Sequence, residues 1–298
     1  MQILADREKM VSVIIPIYNG EKYIVETLNS VMNQTHQSFE VLCIIDGTKD
    51  RSKELIEAIA DPRISVIEQE NHGATWTRNR AMGLATGDYL WFLDQDDVLM
   101  PRCLEAAIAE IERTGSIGVA VNGHLIDSNS EIIRRMYRFN KPVLSLRKLV
   151  KGNQLSTTSQ VLLRREAMLR NGGFDIDAGI ADDWDMWIRV VQEGKLVFLD
   201  ELLMQYRLHE SNHSKNFEKM FRSEMHIVDQ KLRDRQDKRM LMSYSYLRYS
   251  SRAASWRLLF TALWFNSYLL LNLRFYWTAA HIMVTRLRWN MKKLGGVA

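Results

Sequence analysis

Tyr89-Leu90-Trp91-Phe92-Leu93-Asp94-Gln95-Asp96-Asp97, residues 89–97, decides how the rest of the chain is read. Five uncharged apolar and aromatic residues stop abruptly in three carboxylates within four positions. A buried strand that ends in acids presents them at its carboxyl end, where open α/β sheets bind ligands. Acidic oxygen ligands there suit Mg2+ or Mn2+, and those ions suit a pyrophosphate. The alternative is that Asp94, Asp96 and Asp97 are turn residues ahead of a helix opened by Pro101.

Upstream, Val11-Ser12-Val13-Ile14-Ile15-Pro16-Ile17-Tyr18-Asn19 reads as a strand ending in turn residues. The spacing of Ile24, Leu28, Val31 and Met32 predicts an amphipathic helix over 21–34. A strand over 39–45 runs into the turn Asp46-Gly47-Thr48-Lys49-Asp50. A helix is expected over 51–59, a strand over 63–68 and a helix over 74–85, stopped by Gly87. This alternation predicts a doubly wound, mostly parallel sheet with helices on both faces. Downstream the pattern predicts a helix over 101–114, a strand over 117–121, an irregular insertion over 122–154, a strand over 156–163 and a short helix over 165–170. After the turn Gly172-Gly173-Phe174-Asp175, a helix over 182–192 holds Asp182, Asp183 and Asp185 in its first turn. Acids there also suit the positive end of a helix dipole without any further role.

With 298 residues and an apolar fraction of 46%, there is length for one large domain or two small ones. Cys43 and Cys103 lie far apart without metal-like spacing, which argues for a reducing compartment. The first ten residues are polar and carry both charge signs, unlike a signal peptide. The net charge of +4 is unevenly distributed: from Lys238 onward there are ten basic residues and no acid. An acidic body with a basic, aromatic tail points away from nucleic acid and toward a membrane surface.

A polar helix is expected over 216–239, dividing the chain into a body at 1–215 and a tail at 216–298. In the tail, a mostly apolar run over 258–273 is bounded by Arg257 and Arg274. It is shorter than the ~20 residues a simple span needs. Trp256, Phe260, Trp264, Phe265, Tyr268, Phe275, Tyr276 and Trp277 crowd it, and Arg286, Arg288, Lys292 and Lys293 follow. The tail reads as one or two amphipathic helices on an anionic leaflet. Its alternative is a helical hairpin packed on the body or on a second subunit of a homo-oligomer.

Seven short motifs occur in one order: Val-Ser-Val-Ile-Ile-Pro-x-Tyr-Asn from Val11; Asp-Gly-Thr-x-Asp from Asp46; Arg78-Asn79 ahead of Gly83 and Ala85-Thr86-Gly87; Phe92 to Asp97; Gly172-Gly173-Phe174-Asp175; Asp183-Trp184-Asp185-Met186-Trp187; and Tyr206-Arg207-x-His209-x-x-Asn212-x-Ser214. Each alone is weak; together they make 11–214 resemble the inverting glycosyltransferases of family 2, of bacterial polysaccharide-biosynthesis type. The resemblance implies the GT-A fold, Rossmann-like, with the helical tail appended. It implies transfer of a hexose from a UDP- or dTDP-sugar to a hydroxyl of a glycan or polyprenyl-linked acceptor, in surface polysaccharide synthesis. It further implies a Mn2+ or Mg2+ cofactor and a cytoplasmic site, peripheral on the inner face of the plasma membrane.

Carried over residue by residue, the resemblance gives Pro16, Tyr18, Asn19, Asp46, Asn71, Arg78, Asp94, Gln95, Trp184 and Arg207 to binding of the substrate or its nucleotide. In it Asp46 accepts the imide N–H of uracil, a donor that thymine shares; as a residue before Gly47, Asp46 also reads as a plain turn former. Arg78 reads equally as a solvated helix face. Asp96 and Asp94 match the Asp-x-Asp metal motif, with His209 as a further ligand or an ordinary loop histidine. Asp183 matches the general base, which removes the acceptor's proton. Trp184 could stack on a sugar, whereas Trp187 reads as core. The chain departs from the family pattern at Ile45, where an acid is usual, and at Asp182, where Glu is usual. These departures support an alternative: a non-catalytic, membrane-associated partner that keeps the fold. A nucleotidyltransferase would want a Gly-rich loop directly after the first strand, and Ile17 to Glu21 is not one.

Overall fold

The computed structural model describes residues 8–138, 143–209, 217–252, 255–271 and 273–294. The chain forms two compact units: Met1–Ser145, Leu155–Ile176 and Asp182–Asn212 in the first, and Leu146–Gln154, Asp177–Ala181 and His213–Ala298 in the second.

The first unit begins β1 (Val11–Ile17), α1 (Ile24–Met32), β2 (Phe39–Asp46), α2 (Ser52–Glu57), β3 (Ile64–Gln69), α3 (Ala74–Leu84), β4 (Tyr89–Phe92). It continues β5 (Val98–Leu99), α4 (Cys103–Thr114), β6 (Gly118–Ile126), β7 (Ile132–Arg135), β8 (Val143–Leu144). After α5 (Leu146–Leu149), a short helix of the second unit, come β9 (Val161–Arg164), α6 (Arg165–Arg170), α7 (Asp182–Glu193) and β10 (Leu196–Arg207). All four residues of β4 are buried, as are all of β1 except Pro16, so both strands are covered on both faces. Alternate residues Val11, Val13, Ile15 and Ile17 pack in one cluster with Ile24, Leu28 and Val31 of α1 and Leu104 and Ile111 of α4. Helix α3 packs on β1 and β2. Cys43 and Cys103 are free and buried, and burial pushes the Cys43 thiol up to about 12.

The strand order is β3-β2-β1-β4-β9-β6-β10-β5, with β7 beside β6 and β8 beside β10. Strands β3, β2, β1 and β4 pair in parallel, and so do β6 and β10. Between these blocks β9 runs antiparallel to both β4 and β6. Two reversals restore direction, so β1, β2, β4, β6 and β10 all end on one edge of the sheet. This is the edge where such sheets bind ligands.

The region read as irregular over 122–154 begins instead as a continuation of β6 and then turns back as β7. Asn122 and Gly123 disguise the strand, because neither looks like a buried β residue. Asn122 donates to Asp200 Oδ1 at 2.6 Å and to the Tyr137 carbonyl at 3.1 Å, satisfying its amide. At Gly123 a Cβ would lie 2.2 Å from the Met204 carbonyl oxygen, so the close pairing of β6 with β10 requires glycine. Strand β10 had no clear sequence signal, since its register shifts between Leu199 and Leu202 and again before Met204. The strand expected over 156–163 starts only at Val161, after a 3-10 turn at Thr158–Gln160.

The second unit contains α8 (Phe217–Gln230), α9 (Arg235–Arg252), α10 (Trp256–Phe265) and α11 (Leu273–Leu294). The single polar helix expected over 216–239 is interrupted, because Asp234 accepts the N–H groups of Gln236 and Asp237 at 2.7 and 3.0 Å and starts a new helix. The apolar run over 258–273 is likewise divided after Phe265. Among the described residues no helix is long and apolar enough to cross a membrane. Leu247, Leu259, Ala262, Leu269, Phe275 and Ile282 make a core of their own. Phe260, Trp264, Tyr276 and Trp277 remain exposed, Trp264 by 82%. The side chains of Trp256, Tyr268, Arg286, Arg288, Lys292 and Lys293, and the whole of Asn212 and Ser214, lie outside the described residues.

Candidate active site

The loop after β1 is pinned before any ligand is considered. Tyr18 and Gln95 pair: the Tyr18 N–H donates to Gln95 Oε1 at 2.9 Å, and Gln95 Nε2 donates to the Tyr18 carbonyl at 3.0 Å. Both ends of the Gln95 amide are thus held by backbone, so Gln95 braces the loop after β1. The Tyr18 ring is 50% exposed at the strand-end edge, next to half-buried Pro16. Asn19 adopts φ +50°, a conformation asparagine tolerates, and its Oδ1 accepts the Lys49 N–H at 3.1 Å. Asp50 completes this junction by accepting the Glu21 N–H at 2.8 Å and the Ser52 hydroxyl at 2.6 Å.

Asp46 ends β2 and is 2% exposed. Its carboxylate accepts from Gln69 Nε2, the His72 N–H and the Gly73 N–H, each at 2.8 Å. Three of about four acceptor positions are therefore taken by the loop that leads into α3. A base N–H would have to compete with that loop. Asn71 supports the same turn, donating to the Asp46 carbonyl at 3.0 Å.

The acids after β4 have three environments. Asp94 accepts from Arg78 Nη2 at 2.7 Å and from the Thr157 hydroxyl at 3.2 Å, while the Asp94 N–H donates to Ser159 Oγ at 2.9 Å. Asp96 pairs with His209 Nε2. Burial, with Asp94 close by, pushes the Asp96 carboxyl up despite His209. Asp97 is fully buried, accepts the Arg207 N–H at 2.9 Å, and is pushed well up by burial and by the neighbouring acids.

Arg207 is itself fully buried. Its guanidinium donates to the Asp96 carbonyl at 2.8 Å, the Asp127 carbonyl at 3.1 Å and Glu26 at 2.7 Å, and stacks over the Tyr23 ring at 4.4 Å. The expected substrate contact is corrected: Arg207 lies under the acidic turn and fixes its backbone. Tyr23 also stacks on His209, with ring centroids 6.0 Å apart.

Helix α7 starts at Asp182. The Asp183 N–H donates to Asp182 Oδ1 at 2.9 Å, and the Trp184 N–H donates to Asp183 Oδ1 at 2.6 Å. Asp182 Oδ2 accepts from the Thr75 hydroxyl at 2.7 Å and from Arg78 Nη1 at 3.3 Å. Arg78 is 8% exposed, so it is neither a solvated face nor simply a nucleotide contact. It bridges Asp94 and Asp182, which brings the acids after β4 and the start of α7 to one place. Trp184 is 2% exposed and Trp187 fully buried. The stacking platform expected at Trp184 is therefore corrected to core packing.

Among the described residues no group of three or more His, Cys, Asp or Glu could hold a metal ion alone. The pair Asp96 and His209, beside Asp94, fits a cation that takes its other ligands from a substrate's phosphates, which is how Mg2+ is commonly held. Glu26, Thr75, Thr157 and Ser159 were not picked out by sequence reasoning. The hydroxyl-rich run Ser156-Thr157-Thr158-Ser159-Gln160 was a usable signal, being too polar for the start of a buried strand.

The motifs interlock across the fold. Asn79 Nδ2 donates to the Phe174 carbonyl and Asn79 Oδ1 accepts the Phe174 N–H, both at 2.7 Å. Beside them Gly173 has φ +77°, and a Cβ there would lie 2.5 Å from Asn79 Oδ1.

The model of glycosyl transferase family 2 matches residues 12–171. An uncharacterized glycosyltransferase of Methanocaldococcus jannaschii is 28% identical over 206 residues, 67% of this chain and 71% of the relative. The chondroitin synthase of Pasteurella multocida is 28% identical over 244 residues, 80% of this chain but 24% of that much longer protein. The first curated relatives are covered over 71, 65 and 66% of their length. In fold, the chain is similar to S. aureus TarS 1–349 in complex with UDP-GlcNAc, with a TM-score of 0.70 at 20% identity over 92% of this chain and 88% of that one. It is also similar to the mannosyltransferase PcManGT of Pyrobaculum calidifontis in complex with GDP-Man and Mn2+, with a TM-score of 0.56 at 17% identity over 95% and 87%.

Proposed function

The chain belongs to glycosyl transferase family 2 and has the GT-A fold, and from that premise we propose that it is an inverting, metal-dependent hexosyltransferase. Its donor is a UDP- or dTDP-hexose, and its acceptor is a hydroxyl of a glycan or lipid-linked glycan in surface polysaccharide synthesis. The observation that carries this reading is the Arg78 bridge. It holds Asp94 at 2.7 Å and Asp182 at 3.3 Å, so the acids after β4 and the start of α7 flank one space. The UDP-GlcNAc in TarS and the chondroitin synthase relative support the donor and acceptor classes.

In this mechanism Asp183 takes the proton of the acceptor hydroxyl as its oxygen attacks the anomeric carbon. The bond from that carbon to the diphosphate breaks on the opposite face, so the configuration inverts. A fixed carboxylate in this role contributes roughly 10²- to 10⁴-fold. Asp96, His209 and Asp94 would hold a divalent cation, which when bound offsets the charge on the departing diphosphate. Pro16, Tyr18, Asn19 and Asn71 line the nucleotide end, and Arg207 keeps the acidic turn rigid.

In this reading the enzyme works at the inner face of the plasma membrane. Its support is the exposed set Phe260, Trp264, Tyr276 and Trp277, together with ten basic residues and no acid after Asp237.

A screen of nucleotide sugars with Mn2+, read by released UDP or dTDP, tests the proposal. Release from one or a few donors is expected, and EDTA should abolish it. No release from any donor, with no Mn2+-dependent UDP binding by calorimetry, would identify a non-catalytic partner instead.

A further inference from the structure

Asp182 opens α7, and its surroundings give its carboxylate a definite task. One oxygen, Oδ1, accepts the Asp183 N–H at 2.9 Å. The other, Oδ2, accepts the Thr75 hydroxyl at 2.7 Å and Arg78 Nη1 at 3.3 Å. Both partners lie on α3, one helical turn apart, and face α7 together. The same guanidinium reaches on through Nη2 to Asp94 Oδ1 at 2.7 Å. Arg78 and Asp182 are shielded, with side chains 10% and 14% exposed. Water therefore screens this bridge far less than a surface ion pair.

We propose that Thr75, Arg78 and Asp182 form a strut that fixes the distance between the acidic turn after β4 and the first turn of α7. Asp182 is then a positioning residue for Asp183. This rests on the proposed function for its catalytic consequence, but the strut itself is a property of the free protein. The chemistry is specific. Asp182 carries the charge that draws Arg78 toward α7, and its second oxygen caps the backbone N–H of the residue that removes the proton. Without it the first turn loses an anchor at its amide and an anchor at its side chain. The carboxylate of Asp183 then samples positions away from the attacking hydroxyl, and a displacement of about an ångström can cost on the order of 10²-fold. Donor binding is made mainly at the β1, β2 and β4 ends and should not change with it. Threonine at 75 matters for the same reason: its hydroxyl holds Oδ2 at 2.7 Å beside Arg78.

The test compares Asp182→Ala, Asp182→Glu and Thr75→Val with wild type, using the UDP-sugar that wild type turns over in the screen. Asp182→Ala should lower kcat roughly 10- to 100-fold, with KM for that donor and Mn2+-dependent UDP affinity within about threefold of wild type. Thr75→Val should fall in the same direction by less. Asp182→Glu should recover most of the rate, because it restores the charge facing Arg78. Equal loss of kcat in Asp182→Ala and Asp182→Glu would overturn the proposal, as would a parallel loss of UDP affinity in Asp182→Ala. A second readout needs no substrate. Hydrogen exchange at the Asp183 and Trp184 amides should quicken in both Asp182→Ala and Arg78→Lys. Unchanged exchange in both variants would remove the strut. If wild type releases no nucleotide from any donor, the proposed function fails and the exchange result alone decides this inference.

Discussion

The acids at 94–97 and those at 182–185 have almost the same composition and opposite surroundings. The first group closes a strand, so Asp94, Asp96 and Asp97 crowd one turn, and burial beside like charges pushes Asp96 and Asp97 up. The second group opens a helix, where successive side chains diverge by about 100°. Asp182 turns to Arg78, Asp185 turns inward to Arg189 at 2.6 Å, and Asp183 lies between them. A tight turn concentrates negative charge and invites a cation. A helix separates the same charges, and in the proposed mechanism one of them, Asp183, takes the acceptor's proton. Acid count alone did not distinguish the two; backbone geometry did.

Four experiments can break or sharpen that contrast. Asp183→Asn should lower kcat roughly 10²- to 10⁴-fold while leaving calorimetric UDP affinity with Mn2+ unchanged. If the affinity fell too, the second group would be sharing the metal and the contrast would fail. Arg189→Met should lose about 3–5 kcal/mol in urea unfolding, because the fully buried Asp185 side chain would lose its 2.6 Å ion pair. A loss under about 1 kcal/mol would mean that this pair contributes no more than a surface ion pair.

Asp96→Ala should remove the Mn2+-dependent gain in UDP affinity, roughly 10- to 100-fold, without the large stability loss of Arg189→Met. The smallest effect is on pH dependence. Folded carboxyls raised above their ordinary value stabilise the protein below that ordinary value, and the contribution is lost as pH rises through the raised one. In EDTA, the difference in Tm between wild type and Asp97→Asn should therefore move against wild type between pH 5 and pH 8. Added Mn2+ should stabilise wild type more at pH 8 than at pH 5, since its ligands must be deprotonated. A wild-type Tm that tracks Asp97→Asn across the whole range would show that Asp97 does not titrate.

Much of the first unit was legible because its strands are short, apolar and closed by turn residues. Val11–Ile17 and Tyr89–Phe92 carry that signal without interruption. Leu196–Arg207 was not read, since Asp200 and Glu201 break its pattern where its pairing with β6 slips. Asn122 and Gly123 misled for a related reason: each is unfavourable in a strand by local propensity and is required by one neighbour, Asp200 or the Met204 carbonyl. In the second unit the apolar run over 258–273 looked continuous, and the Asn266 C-cap of α10, where the backbone turns extended, divides it. At the site, Trp184 and Arg207 were given contacts with a substrate that their burial does not support.

By itself the sequence determined most of the elements from Val11 to Thr114 and the acidic turn after β4, because these depend on residue order and local periodicity. Tertiary structure alone decided that β9 would run backwards between two parallel blocks and so bring the ends of β1, β2, β3, β4, β6 and β10 to one edge. It also decided that Arg78 would join Asp94 to Asp182, residues 88 positions apart, and that Arg207 would lie beneath the turn. Those outcomes depend on which charges are buried beside which, and a one-dimensional pattern carries no term for burial between residues far apart in the chain.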